Sequence, residues 1–144
     1  MEELLAILEN GKEMLERLIQ LAEEKRSALV DNRREDVAKL SQSELELTSA
    51  LQDWEQARLQ CAERRTLAEL ALAAEGSSRQ KLLKMREELI FLTQKLANLN
   101  QQNADLLKHA LAYTEYALSL IQPDNQTYGQ QQDQGKLSFL DRKV

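Results

Sequence analysis

Residues 82–121 read LLKMREELIFLTQKLANLNQQNADLLKHALAYTEYALSLI, and this stretch decides the fold. Leu82, Leu89, Leu96, Asn103, Ala110 and Ala117 fall seven apart, and Met85, Leu92, Leu99, Leu106, Tyr113 and Leu120 repeat three residues behind them. These are the a and d positions of a heptad seam. Held for six heptads with no Pro or Gly inside, the seam predicts one straight helix in a coiled-coil-like bundle. Asn103 interrupts it. A buried amide must find a hydrogen-bond partner in one register, so Asn103 gives up stability for specificity.

Around this helix, composition leaves little room for anything but more helix. The chain of 144 residues is 42% hydrophobic, 30% charged and 4% aromatic, with four Gly and one Pro, which excludes a strand-rich or turn-rich fold. Its length suits one domain. The net charge of -5 comes from interleaved acidic and basic residues, and no basic face marks a nucleic-acid partner. The mildly basic run Arg79, Lys81, Lys84, Arg86 and Lys95 is broken by Glu87 and Glu88 and reads as a solvated helix face. The start Met1-Glu2-Glu3 lacks the positive segment of a signal peptide, and no apolar run reaches the roughly 18 residues of a membrane span. Cys61 has no partner for an internal disulfide and reads as a small buried hydrophobe. Together these predict a cytosolic protein with no membrane insertion.

A first helix is predicted over about residues 2–30, with Leu4, Leu8, Leu15, Leu18, Ala22 and Leu29 on one stripe and Ile7, Met14 and Leu21 widening it. A stripe this broad suits a helix packed against two others. Gly11 and Lys25 share it, the glycine permitting close approach and the lysine reaching out to water along its stem. Asn32 followed by Glu35 resembles a capping box for a second helix over about residues 33–75. Val37, Leu40, Leu47, Leu51, Trp54 and Cys61 keep its heptads, with Glu44 and Arg58 at two seam places, partly exposed or paired. After Leu59 the phase slips, and residues 67–74 are apolar on nearly every face. Gly76 supplies a stop, and Ser77 with Gln80 a capping box for the third helix, over about residues 78–121. At about 1.5 Å per residue the first helix is some 20 Å shorter than the other two. Antiparallel neighbours joined by short turns would leave the Gly76 end of the hairpin bare. Leu67, Leu70, Ala71, Leu82, Leu83 and Met85 then form an uncovered tip expected to self-associate as a homodimer or to take a partner. The expected architecture is an all-α, elongated antiparallel three-helix bundle.

Past Gln122-Pro123 the character changes. Residues 122–144 carry six Gln and two Gly and few apolar side chains, too few to offset the entropy of ordering, so a flexible tail is expected. Within it Leu137, Leu140 and Val144 fall at helical spacing beside Phe139, as in a short docking helix. Nothing in the chain supports catalysis or a cofactor. His109 stands alone, there is no phosphate-binding glycine loop, and the helical carboxylates carry no Glu-x-x-His pairing. Trp54 reads as core, while Tyr113 and Tyr116, near the end of the third helix, read equally as core or interface.

The segment NLNQQNADLL at 98–107, followed by ALAYTEYALSLIQP and a tail containing Thr127-Tyr128-Gly129, resembles the FlgN family of flagellar export chaperones. The family's Asn-x-x-Asn-x-x-Leu-Leu core is met by Asn100, Asn103, Leu106 and Leu107. The resemblance implies a bacterial cytosolic chaperone that binds the helical C-terminal segment of the hook-filament junction proteins FlgK and FlgL. It implies too that the client is kept unassembled and delivered to the export gate of the flagellar type III apparatus. Carried onto this chain, the client-binding part maps onto roughly Asn100 to Ile121 and the residues after it, with Tyr128 the nearest match to a gate-docking tyrosine. Within that part, Asn100, Asn103, Leu106, Leu107, Tyr113, Tyr116, Leu120 and Ile121 are the expected client side, with Leu137, Phe139 and Leu140 closing over it. On periodicity alone, the competing reading is a structural or adaptor coiled coil that dimerises through the hairpin tip.

Overall fold

A computed structural model describes residues 1–121; the expected tail, with Tyr128, Leu137, Phe139 and Leu140, lies outside the described residues. Among the described residues the regular structure is entirely helical: α1 (Glu2–Val30), α2 (Arg34–Cys61), α3 (Leu67–Ala73) and α4 (Gly76–Ile121).

The turns are built differently from the expectation. Asn32 does not cap α2. It sits in the left-handed region at φ 56 and closes α1, with Asn32 N donating to Leu29 O at 3.3 Å and Arg33 N to Ala28 O at 2.9 Å. That is a Schellman ending, in which Asn tolerates the conformation that Gly usually takes. The helix expected over 33–75 breaks in the same way. Glu63 N donates to Gln60 O at 3.3 Å and Arg64 N to Leu59 O at 2.7 Å, with Glu63 and Arg64 at φ 53 and 64. Thr66 then opens α3 with a capping box: its hydroxyl accepts from Glu69 N, and the Glu69 carboxylate accepts from Thr66 N, both at 3.1 Å. Gly76, at φ 62, does not stop the preceding helix. It is the first residue of α4, so Ser77 lies inside the first turn of that helix and not ahead of it.

The pairing follows from who touches whom. Trp54 lies on Gly11 and donates from Nε1 to Ile7 O at 2.6 Å, while Glu44 pairs with Lys25 at 3.6 Å, so α1 and α2 run antiparallel. Lys12 meets Glu88 at 3.0 Å and Lys95 meets Glu23 at 3.7 Å, so α4 runs parallel to α1. The broad stripe of α1 is used on both sides, against α2 and against α4, whereas α2 and α4 make no close backbone approach. One hydrophobic core threads the assembly, from Leu4, Leu8, Leu15 and Leu18 of α1 through Leu51 and Trp54 of α2 to Leu82, Leu89 and Leu96 of α4.

The short helix α3 packs back onto α4 and contributes Leu67, Leu70 and Ala71 to that core. This overturns the bare tip. Leu67, Leu70, Ala71 and Leu82 are buried, Met85 is half-buried, and of the six only Leu83 is exposed. Breaking the helix at Cys61 let one face of the apolar segment, Leu67, Leu70 and Ala71, turn onto α4, while Leu72 on its other face stays exposed. With α2 cut to 28 residues, it matches the 29 of α1, and the surplus length of the 46-residue α4 falls at the opposite end of the molecule.

Candidate interaction surface at the end of α4

The buried face of α4 is made by Leu82, Leu89, Leu96, Leu99 and Asn103 of the seam, with Thr93 beside them. Asn103 fixes the register. Its Nδ2 donates to the carbonyl of Ala22 at 2.9 Å, in a site 5% exposed. Ala22 lies inside α1, so this bond is added to its own helical one. The Asn103 Oδ1 is buried without a partner, as are Asn100 Nδ2 and Gln102 Oε1 on the same turn. An amide layer so incompletely satisfied costs stability.

Above this layer the seam continues and its cover stops. With Lys12 level with Glu88 and Ala22 level with Asn103, α1 runs out roughly level with Leu107 to Leu111. Every residue from Leu107 to Ile121 is exposed or only half-buried. Leu107, Leu111, Tyr113, Tyr116, Leu120 and Ile121 are exposed by 42 to 75%. At the same end, the first half of α2 holds no fully buried residue: Val37, Leu40 and Leu47 are half-buried and Leu45 exposed. Val30, the last residue of α1, is exposed too. Apolar surface gathered at one end of a molecule, on helices already packed at the other, marks a contact surface.

Of the residues expected there, Leu107, Tyr113, Tyr116, Leu120 and Ile121 lie on this overhang in the open, and Leu106, half-buried, lies at its base. Asn100 and Asn103 do not belong with them. Asn103 is buried against α1 and bonds α4 to it, and Asn100 is half-buried on the same layer. Leu111 and Leu118 were missed. A strict seven-residue repeat leads from Asn103 to Ala110 and Ala117, but an untwisted helix drifts about 20° per heptad. Steps of three and four from Thr93, Leu96, Asn100 and Asn103 lead instead to Leu107, Leu111, Thr114, Leu118 and Ile121.

Charges frame the surface and do not enter it. Lys25 and Glu44, with side chains 17 and 18% exposed, tie α1 to α2 beneath the α1–α2 turn. Burial pushes the Glu44 carboxyl above its usual value, and Lys25 offsets this in part. At the other end of α2, Arg58, at a seam place, is paired but also buried, its guanidinium donating two 2.8 Å bonds to Glu55. Among the described residues, no group of three or more His, Cys, Asp or Glu side chains is placed to hold a metal. None of the described helices is long and apolar enough to cross a membrane.

Residues 1–135 match the family model described as FlgN protein. No curated protein and no solved structure matches the chain.

Proposed function

The chain belongs to the FlgN family of flagellar export chaperones, and from that premise we propose that the overhang of α4 is where it holds its client. The client is the helical C-terminal segment of the hook-filament junction proteins FlgK and FlgL, bound in the bacterial cytoplasm and released to the export gate. Residues 1–121 act as the folded unit and residues 122–144 as an extension that meets client or gate, with Tyr128 the residue for gate docking.

One observation carries this reading: the apolar face of α4 runs on for about 15–20 Å beyond the helix that covers it. A client segment that pairs with sister subunits in a filament is itself amphipathic and would assemble early if left uncovered. Laid along Leu107–Ile121, it takes up the position that α1 holds lower down, and its sticky stripe is masked by helix-in-groove packing. No bond is made or broken, so release needs only a competing partner at the gate. The reading of an adaptor that dimerises through the hairpin tip loses its support, because α3 fills that tip.

Titration calorimetry of the full chain with a peptide spanning the last helix of a FlgK-type protein tests the proposal. One-to-one binding is expected, weakened at least tenfold in a Leu107→Ala, Leu111→Ala, Leu118→Ala variant whose helix content by circular dichroism equals that of the parent. Unchanged affinity in that variant places the client elsewhere.

A further inference from the structure

The overhang is wider than one partner helix needs. At 100° per residue, its large apolar side chains run from Tyr116 through Leu120, Tyr113, Ile121, Leu107 and Leu118 to Leu111, an arc of roughly 220°. A helix packed on one neighbour shows a stripe of roughly 100°. Two stripes are therefore present. Leu107, Leu111, Leu118 and Ile121 continue the face that α1 buries, and Tyr113, Tyr116 and Leu120 form a second stripe beside it. Lys108, Glu115 and Ser119 take the remaining arc.

We propose that the second stripe is covered by the chain's own residues 137–144, which dock on Tyr113, Tyr116 and Leu120 and leave the first stripe to the client. This rests on the reading of the α4 end as the client surface and deepens it. The chain leaves α4 at Ile121, at the edge of the patch, and 15 residues separate Ile121 from Leu137. Fully extended, such a connection reaches about 50 Å, against about 21 Å from Leu107 to Ile121, so residues 137–144 reach any point of the stripe. Leu137, Leu140 and Val144 repeat at helical spacing, which gives the segment one apolar face to lay on one stripe. Tethered to its site, the segment acts at an effective concentration in the millimolar range, which a second copy of the chain does not match in dilute solution. The client then meets a surface of ordinary width, one helix broad.

Hydrogen exchange of the full chain without client, compared with a Leu137→Asp, Leu140→Asp variant, tests this. Amides of α4 after Leu107 should exchange several-fold faster in the variant, those from Leu82 to Asn103 should not change, and the difference should be independent of protein concentration. Trypsin gives a second readout, because Arg142 lies within the docking segment. Cleavage at Arg142 should accelerate several-fold in a Tyr113→Asp, Tyr116→Asp variant, whose substitutions lie at exposed positions outside the core. Identical exchange in parent and variant overturns the proposal, and so does protection that grows with protein concentration and survives the tail substitutions, which assigns the stripe to a second copy. Because no client is present, either result leaves the client reading standing. Loss of client binding with tail protection intact sinks the client reading alone.

Discussion

Gly11 is a place where one methyl group decides between two effects of opposite sign. Alanine there adds helix propensity worth up to about 1 kcal/mol. Its Cβ, however, falls inside the Trp54 ring, which also holds the Ile7 carbonyl through Nε1. Overpacking at about 1–3 kcal/mol and a strained hydrogen bond outweigh the propensity, so Gly11→Ala should lower stability by roughly 1–3 kcal/mol in urea unfolding. Asn103 points the other way. Replacing it with Leu removes a buried oxygen that has no partner, and Ala22 O keeps its helical bond, so Asn103→Leu should raise stability by about 1–3 kcal/mol. The cost should appear as lost register, read as extra amide resonances from α1 and α4. Glu44 makes stability depend on pH with a definite sign. Its carboxyl titrates above the ordinary value of 4.5 because it is buried, so its contribution is complete below that value and is lost as pH rises through the raised one. Relative to Glu44→Gln, the parent should therefore be most stable near about pH 4 and lose that advantage towards neutrality; a flat difference between the two urea midpoints across this range would refute the assignment. The roles of Gly11 and Asn103 were legible in the sequence, because a glycine on an apolar stripe and an amide in a seam each have few physical uses. That Arg58 is buried was not, since only the bidentate Glu55 partner makes it tolerable and i,i+3 acid–base pairs abound on solvated faces.

Among the elements, α1 and α4 were readable nearly to their ends, because their periodic patterns are long and free of competing signals. The break at 62–66 was not. Ala-Glu-Arg-Arg-Thr contains no Gly or Pro and every residue but Thr66 favours or tolerates a helix, so local preference argued for continuity. Tertiary packing won, since carrying the helix straight on would have left Leu67, Leu70 and Ala71 in water. Thr66-x-x-Glu69 ahead of an apolar run was the available signal, and the phase slip after Leu59 stood beside it. The turn carries strain for this. Arg64 in the left-handed region costs about 1–2 kcal/mol, and Gly in its place forfeits about 0.5–1 kcal/mol of unfolded-chain entropy. Arg64→Gly should thus leave stability unchanged or raise it by up to about 1 kcal/mol, measured as the urea midpoint. A clear loss would mean that its side chain, and not its backbone, holds the turn.

For the molecule as a whole, the mismatch of lengths could be read from the sequence, but its location could not. Three helices of unequal length must leave something uncovered, and an unbroken second helix would have left it at Gly76. The seven-residue α3 folds back there, and the surplus moves to the far end of α4, where the apolar seam outlasts its cover. Most of the expected client residues fall on that overhang, while Asn103 bonds α4 to α1 beneath it. The direct test is site-specific photo-crosslinking of a FlgK-type client segment to the full chain. The crosslinking side chain replaces Leu118 in one preparation and Phe91, an exposed apolar residue lower on the same helix, in another. The account predicts a client adduct from position 118 and none from 91. An adduct from position 91 with none from 118 would contradict it and move the client to the covered half of α4.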